Sequence, residues 1–118
     1  MTNRYKAVIH IDLEDDLIFN LGLSNISNTL EALEGKDVEL ILLVTGPGVA
    51  LLAGDQMYIF MEKLRQITAA GVRIQICERA LKLFEIPQDE LFEGCEIIPA
   101  GVVGLIELQA EGFAYIKP

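Results

Sequence analysis

A three-layer α/β/α sandwich around a five-stranded, mostly parallel sheet is the fold that this sequence predicts. Two observations carry it. Strand-like and helical patterns alternate along all 118 residues with short connections, the order that returns parallel strands through crossover helices. The first two strand-like runs are also nearly continuous in apolar residues, as strands covered on both faces must be. The length suits one domain, and residues 1–118 read as a single unit without repeat, linker or low-complexity segment.

Each element has its own signal. Residues 5–11 form the first strand, with Ala7-Val8-Ile9 continuously apolar. A helix over about 16–34 follows, with Leu23, Ile26, Leu30 and Leu33 as its apolar stripe. Asp15 or Asp16 suits its N-cap and Gly35 the position after its end. The second strand covers 38–44, closed by the glycine-rich loop Thr45-Gly46-Pro47-Gly48. After a partial helical turn over 49–53, a second helix starts at Gly54-Asp55, with Asp55 as its cap and Gly71 as its stop. Its buried stripe is Met57, Phe60, Met61, Leu64 and Ile67.

The third strand, over 72–76 and ending in Cys77, alternates cleanly. Val72, Ile74 and Ile76 face one side; Arg73, Gln75 and Cys77 face the other, more polar side. A short helix reaches about Glu85, and Pro87-Gln88-Asp89-Glu90 opens another helical turn. The fourth strand is 95–98, a helix covers 102–110, and 113–116 is the closing strand.

Composition narrows the function classes. Eighteen acidic residues stand against nine basic ones, a net charge of −9. That excludes the clustered Lys and Arg needed for nucleic acid or an anionic membrane surface. No run approaches the ~18–20 apolar residues of a membrane span. The hydrophobic fraction is nonetheless 52% with a mean hydropathy of +0.39, more apolar surface than a small domain hides alone. A homo-oligomer is the expectation. The start, Met1-Thr2-Asn3-Arg4, lacks signal-peptide anatomy, and the default location is cytoplasmic with both cysteines as free thiols.

Cys77 is the leading chemical candidate. It ends a strand just ahead of a helix N-terminus, where α/β proteins place reactive groups. The helix end favours a thiolate, with Arg79 adding positive charge and Glu78 opposing. The alternative is a small packed core residue. His10, the only histidine, lies near the same sheet edge and would activate the thiol if the two met; otherwise it is structural. The acidic run Asp12, Glu14, Asp15 and Asp16 lacks EF-hand spacing and reads as a solvated helix cap, so no metal is expected. The Gly46-Pro47-Gly48 loop lacks the third glycine of a dinucleotide loop, where Leu51 stands, and has no Gly-Lys-Ser/Thr. No cofactor is expected; the loop places Thr45 and Gly46 near Cys77. Cys95 reads as structural.

Four segments together resemble the DsrE/DsrF-like proteins of sulfur metabolism. These are residues 6–11, residues 23–30 with asparagines at 25 and 28, residues 71–81 around Gly71-Val72 and Cys77, and residues 100–117, where Ala100-Gly101-Val102-Val103 leads to Gln109, Gly112 and Phe113. The resemblance implies a compact α/β domain assembled as a homotrimer or homohexamer. It implies that Cys77 carries sulfur as a persulfide between donor and acceptor proteins, with the N–H groups of Arg79 and Ala80 stabilising the anion. Many relatives have histidine-glycine after the second strand, where this chain has Thr45-Gly46. The functional expectation is a sulfur carrier or sulfurtransferase-like protein; the alternative is a non-catalytic homo-oligomeric small-ligand or anion-binding protein.

Overall fold

The computed structural model describes residues 4–118; Met1, Thr2 and Asn3 of the N-terminal segment lie outside the described residues. The elements are β1 (Arg4–Ile11), α1 (Asp16–Ala32), β2 (Asp37–Val44), α2 (Gly54–Met57), α3 (Met61–Ala69), β3 (Arg73–Cys77), α4 (Glu78–Leu83), β4 (Cys95–Ile98), α5 (Gly101–Ala110) and β5 (Ala114–Ile116). The strands form one sheet in the order β4-β3-β2-β1-β5, and every pairing is parallel. Each strand-to-strand connection contains helix, which brings the chain back to the same edge before the next strand begins.

The local signals explain most boundaries. The Asp15 carboxylate accepts from the Ile18 N–H at 3.0 Å and starts α1. Phe19, Leu23 and Ile26 form the buried stripe of α1. The second helix departs from expectation: it is two helices, broken between Met57 and Met61. Ala53, not Asp55, occupies the N-cap of α2, and no side chain caps it. Gly54 opens this helix with φ of 55°, and an uncapped start followed by tight turns through Tyr58 and Phe60 does not propagate as one helix. The loop after β2 is a 3-10 helix, Gly46–Leu52.

The sheet separates two cores of unequal size. On one face Ile9, Ile11, Leu42, Val44, Ile74 and Ile76 pack with Phe19, Leu23 and Ile26 of α1 and with Phe60 and Leu64 from the second helical segment. Phe19 and Phe60 meet edge to face at 4.7 Å between centroids. On the other face Val8, Ile41 and Leu43 pack against Leu105 and Leu108 of α5 and against Phe113. Among the described residues α5 is the one helix in this second core. Arg73 and Gln75 are in register with Ile41 and Leu43, so the side that looked polar in the third strand is the α5 side. Its outermost polar group is tied down: the Arg73 guanidinium grips Glu96 through two bonds of 2.9 and 2.8 Å.

Candidate functional site

The parallel strands end together, and their C-terminal edge gathers the candidate residues. Ile11 aligns with Val44, Val44 with Ile76, and Cys77 with Ile98. The chain leaves this edge at Asp12, Thr45, Glu78 and Pro99. Val8 lies in the core on the α5 side, and His10 follows it by one alternation. Tyr115 aligns with Val8, so His10 and Tyr115 share that side.

Cys77 is buried, with 7% of its surface exposed. Its Sγ accepts a hydrogen bond from the Gly101 N–H at 3.3 Å. Gly101 is the first residue of α5, so the thiol meets one of the four unpaired N–H groups of a ten-residue helix. A Cβ on Gly101 would stand 3.2 Å from the Cys77 Cβ and would overlap the Thr45 methyl. Gly104, one turn on, is pressed the same way against Ile98 and Leu43. Two glycines three apart let the α5 backbone lie directly on the sheet edge, which is how its N–H reaches sulfur.

His10 is also buried and has both ring nitrogens engaged. Nδ1 lies 2.6 Å from the Tyr115 hydroxyl, and Nε2 lies 2.8 Å from Thr45 Oγ1. Burial holds the imidazole pKa below its ordinary value; the Asp12 carboxylate opposes this and the Lys117 ammonium adds to it. Asp12 and Lys117 pair at 2.7 Å beside the ring, and that bond holds the Asp12 carboxyl below its usual range.

Several expectations are redistributed by this geometry. His10 and Cys77 do not meet: β2 stands between their strands, which separates them by about 10 Å, and the ring is taken by Tyr115 and Thr45. The N–H groups of Arg79 and Ala80 are not the donors to sulfur; Gly101 is. Helix α4 spans six residues, and Arg79 is exposed beside a cleft lined by Glu78, Lys82, Leu83 and Pro99. Glu78 faces Lys82 at 3.5 Å, which offsets its charge near the thiol. Gly46 turns the chain with φ of 56° close against the Asp12 carbonyl. The acidic run divides its labour: Asp15 caps α1 and Asp12 binds Lys117. Cys95 is on β4, and burial pushes its thiol up to about 12.

Two site residues escaped the sequence reading. Gly101 and Tyr115 both lie in the C-terminal segment, on α5 and β5, after the strand that ends in Cys77. A glycine as the first residue of a largely apolar helix was the available signal for one. Tyr115, on the closing strand, offered none until β5 was placed beside β1.

These features define a class: a wholly parallel α/β sandwich with a hydrogen-bonded thiol at the carboxyl edge of its sheet. The sequence profile of the DsrE/DsrF-like family matches residues 13–118, and the chain belongs to that family. It is similar over 97% of its length, and 99% of the other chain, to the solved structure of MTH1491, a protein of unknown function from Methanobacterium thermoautotrophicum, with 32% identity and a TM-score of 0.88. The YchN protein of E. coli shares the fold at 20% identity and a TM-score of 0.78, with 97% and 99% of the two chains covered. BT1422 from Bacteroides thetaiotaomicron, of unknown function, shares it at 17% identity and 0.71, with 96% and 94% covered. No curated protein matches the chain.

Proposed function

We propose that this protein is a sulfur carrier or sulfurtransferase-like protein that holds sulfane sulfur as a persulfide on Cys77. The hydrogen bond from Gly101 N–H to Cys77 Sγ carries this reading. A donor aimed at sulfur from a helix N-terminus stabilises negative charge that develops there, and the thiolate is the nucleophile. Among the described residues no such donor meets the Cys95 sulfur, and burial pushes its thiol up to about 12, so it stays protonated at neutral pH. Family membership and the position of Cys77 point the same way.

The transfer balances without an external oxidant. The Cys77 thiolate attacks the outer sulfur of a donor persulfide. A sulfur–sulfur bond forms at Sγ, the donor's sulfur–sulfur bond breaks, and its electron pair leaves on the donor thiolate. The outer sulfur keeps its proton, so Cys77 becomes a persulfide. An acceptor thiolate then attacks that outer sulfur, and Cys77 leaves as the thiolate. Gly101 stabilises the same anion as nucleophile and as leaving group.

The reading includes self-assembly as a homotrimer or homohexamer, donor and acceptor proteins as partners, and a cytoplasmic location. Exposed apolar residues support the assembly: Val102, Val103 and Ile106 on α5, and Leu17 and Leu21 on α1. Both cysteines are free, which fits a reducing compartment. No described helix is long and apolar enough to cross a membrane.

Incubation with a small-molecule persulfide followed by intact-mass and peptide measurement tests the chemistry. The expected result is a gain of one sulfur atom on Cys77, lost in Cys77→Ser and kept in Cys95→Ser. No gain, or a gain on Cys95, returns Cys77 to a packing role in a small-ligand or anion-binding protein.

A further inference from the structure

Tyr115 and Cys77 lie on strands separated by two others in the sheet, yet a continuous series of contacts joins them. The Tyr115 hydroxyl bonds His10 Nδ1, and His10 Nε2 bonds Thr45 Oγ1. A hydroxyl held in this way fixes the threonine rotamer. The Thr45 methyl then fills the space where a Cβ of Gly101 would stand. Gly101, seated there, donates its N–H to Cys77 Sγ. The series runs through β5, β1, the loop after β2, the first turn of α5 and the end of β3.

We infer that Tyr115, His10 and Thr45 are positioning residues that set the Gly101 N–H onto the Cys77 sulfur. The inference deepens the sulfur-carrier reading and rests on Cys77 as its reacting group. Three observations carry it beyond ordinary packing. His10 is a buried polar group whose two ring nitrogens both point along the series. The Thr45–Gly101 contact tolerates no added atom. Tyr115 is 41% exposed, so the series starts at the molecular surface and ends at a buried thiol.

The arrangement also makes the thiol responsive to the His10 proton. A neutral ring donates through one nitrogen and accepts through the other; a protonated ring donates through both. Protonation therefore forces Thr45 Oγ1 and the Tyr115 oxygen both to accept, and whichever of the two hydroxyls donated to the neutral ring must turn. The charged groups facing the ring are Asp12 at the end of β1 and Lys117 after β5, and they are paired with each other.

The test uses the full chain with Cys95→Ser as background. His10 is the only histidine, so its ring signals report its titration directly by NMR, and the Cβ shift of Cys77 is followed in the same samples. In the starting protein the Cys77 shift is expected to change in step with His10. In Thr45→Val, which keeps the methyl and removes the hydroxyl, that step is expected to vanish while His10 still titrates. In Tyr115→Phe the step is expected to shrink. Iodoacetamide alkylation of Cys77 at neutral pH should slow by about two- to tenfold in Thr45→Val, the range expected from one lost orienting hydrogen bond. Far-ultraviolet circular dichroism checks that each variant is folded.

An unchanged Cys77 response and alkylation rate in both variants overturns the inference. So does a Cys77 shift that never follows His10 in the starting protein. Failure of persulfide uptake with these couplings intact would instead remove the sulfur-carrier reading and leave the positioning series standing.

Discussion

His10 shows how a single burial decides a pH response. Burial is the largest influence on its ring, and it disfavours the imidazolium. The folded pKa therefore lies below the unfolded value of about 6.5. As pH falls through that value, the unfolded chain takes up a proton that the folded chain still refuses. Stability is full above this window, declines across it, and levels off once folded His10 is protonated. His10→Gln, which keeps a donor and an acceptor, is expected to flatten the fall of Tm over this window. An unaltered slope in thermal melts across that range would show that another group carries the dependence. Asp12 acts in the same sense at lower pH, because Lys117 holds its carboxyl low. Its stabilisation is present above the unfolded carboxyl value and is lost as pH falls through the folded one. That pair is partly exposed, so added salt weakens the Asp12 contribution and leaves that of the buried His10 largely intact.

Helix α5 is the element on which the site turns. Its inward face carries Gly101 and Gly104 against the sheet, and Leu105 and Leu108 continue the contact into the core. Gly101→Ala should gain up to about 1 kcal/mol of helix propensity. It should also lose about 1–3 kcal/mol to overpacking, because the new methyl overlaps the Thr45 methyl. A net loss of stability is expected. Thr45→Ser deletes the overlapping methyl, leaving the Cys77 Cβ at 3.2 Å and the Thr45 Cβ at 3.4 Å as neighbours. The double variant should then lose less than the sum of the two single losses. Denaturant melts arranged as a double-mutant cycle measure this coupling; strict additivity would show that the two residues do not share the space. The outward face of α5 is different in kind, since Val102 is 65% and Ile106 62% exposed. Ordinary helix amphipathicity would place charge there.

At the scale of the whole molecule, an apolar composition meets a thin second layer. In the second core α5 is the one helix among the described residues, and its outer side exposes Val102, Val103 and Ile106, apolar surface of the kind that a second copy would be expected to bury. Sedimentation is expected to give an assembly larger than the 13.0 kDa chain. Ile106→Glu should shift it toward the single chain while leaving the far-ultraviolet spectrum intact. A 13.0 kDa species for the starting protein at micromolar concentration would overturn this expectation. Much of the fold was legible because it rests on local periodicity. The Asp15 cap, the Leu23–Ile26 stripe and the alternation from Val72 to Cys77 each act within a few residues. The break between α2 and α3 was not legible, because the apolar stripe from Met57 to Ile67 continues through it while the turns at Tyr58 and Phe60 do not. By itself the sequence determined the strand–helix order, the thiol at the end of the third strand and the excess of apolar surface, since composition and spacing are sufficient for these. Only the tertiary structure decided which N–H meets that thiol and which residues His10 bonds. Gly101 lies twenty-four positions beyond Cys77, and Tyr115 one hundred and five beyond His10. Contacts at such separations exist only once the parallel sheet has brought the strand ends to one edge, and local spacing along the chain does not encode them.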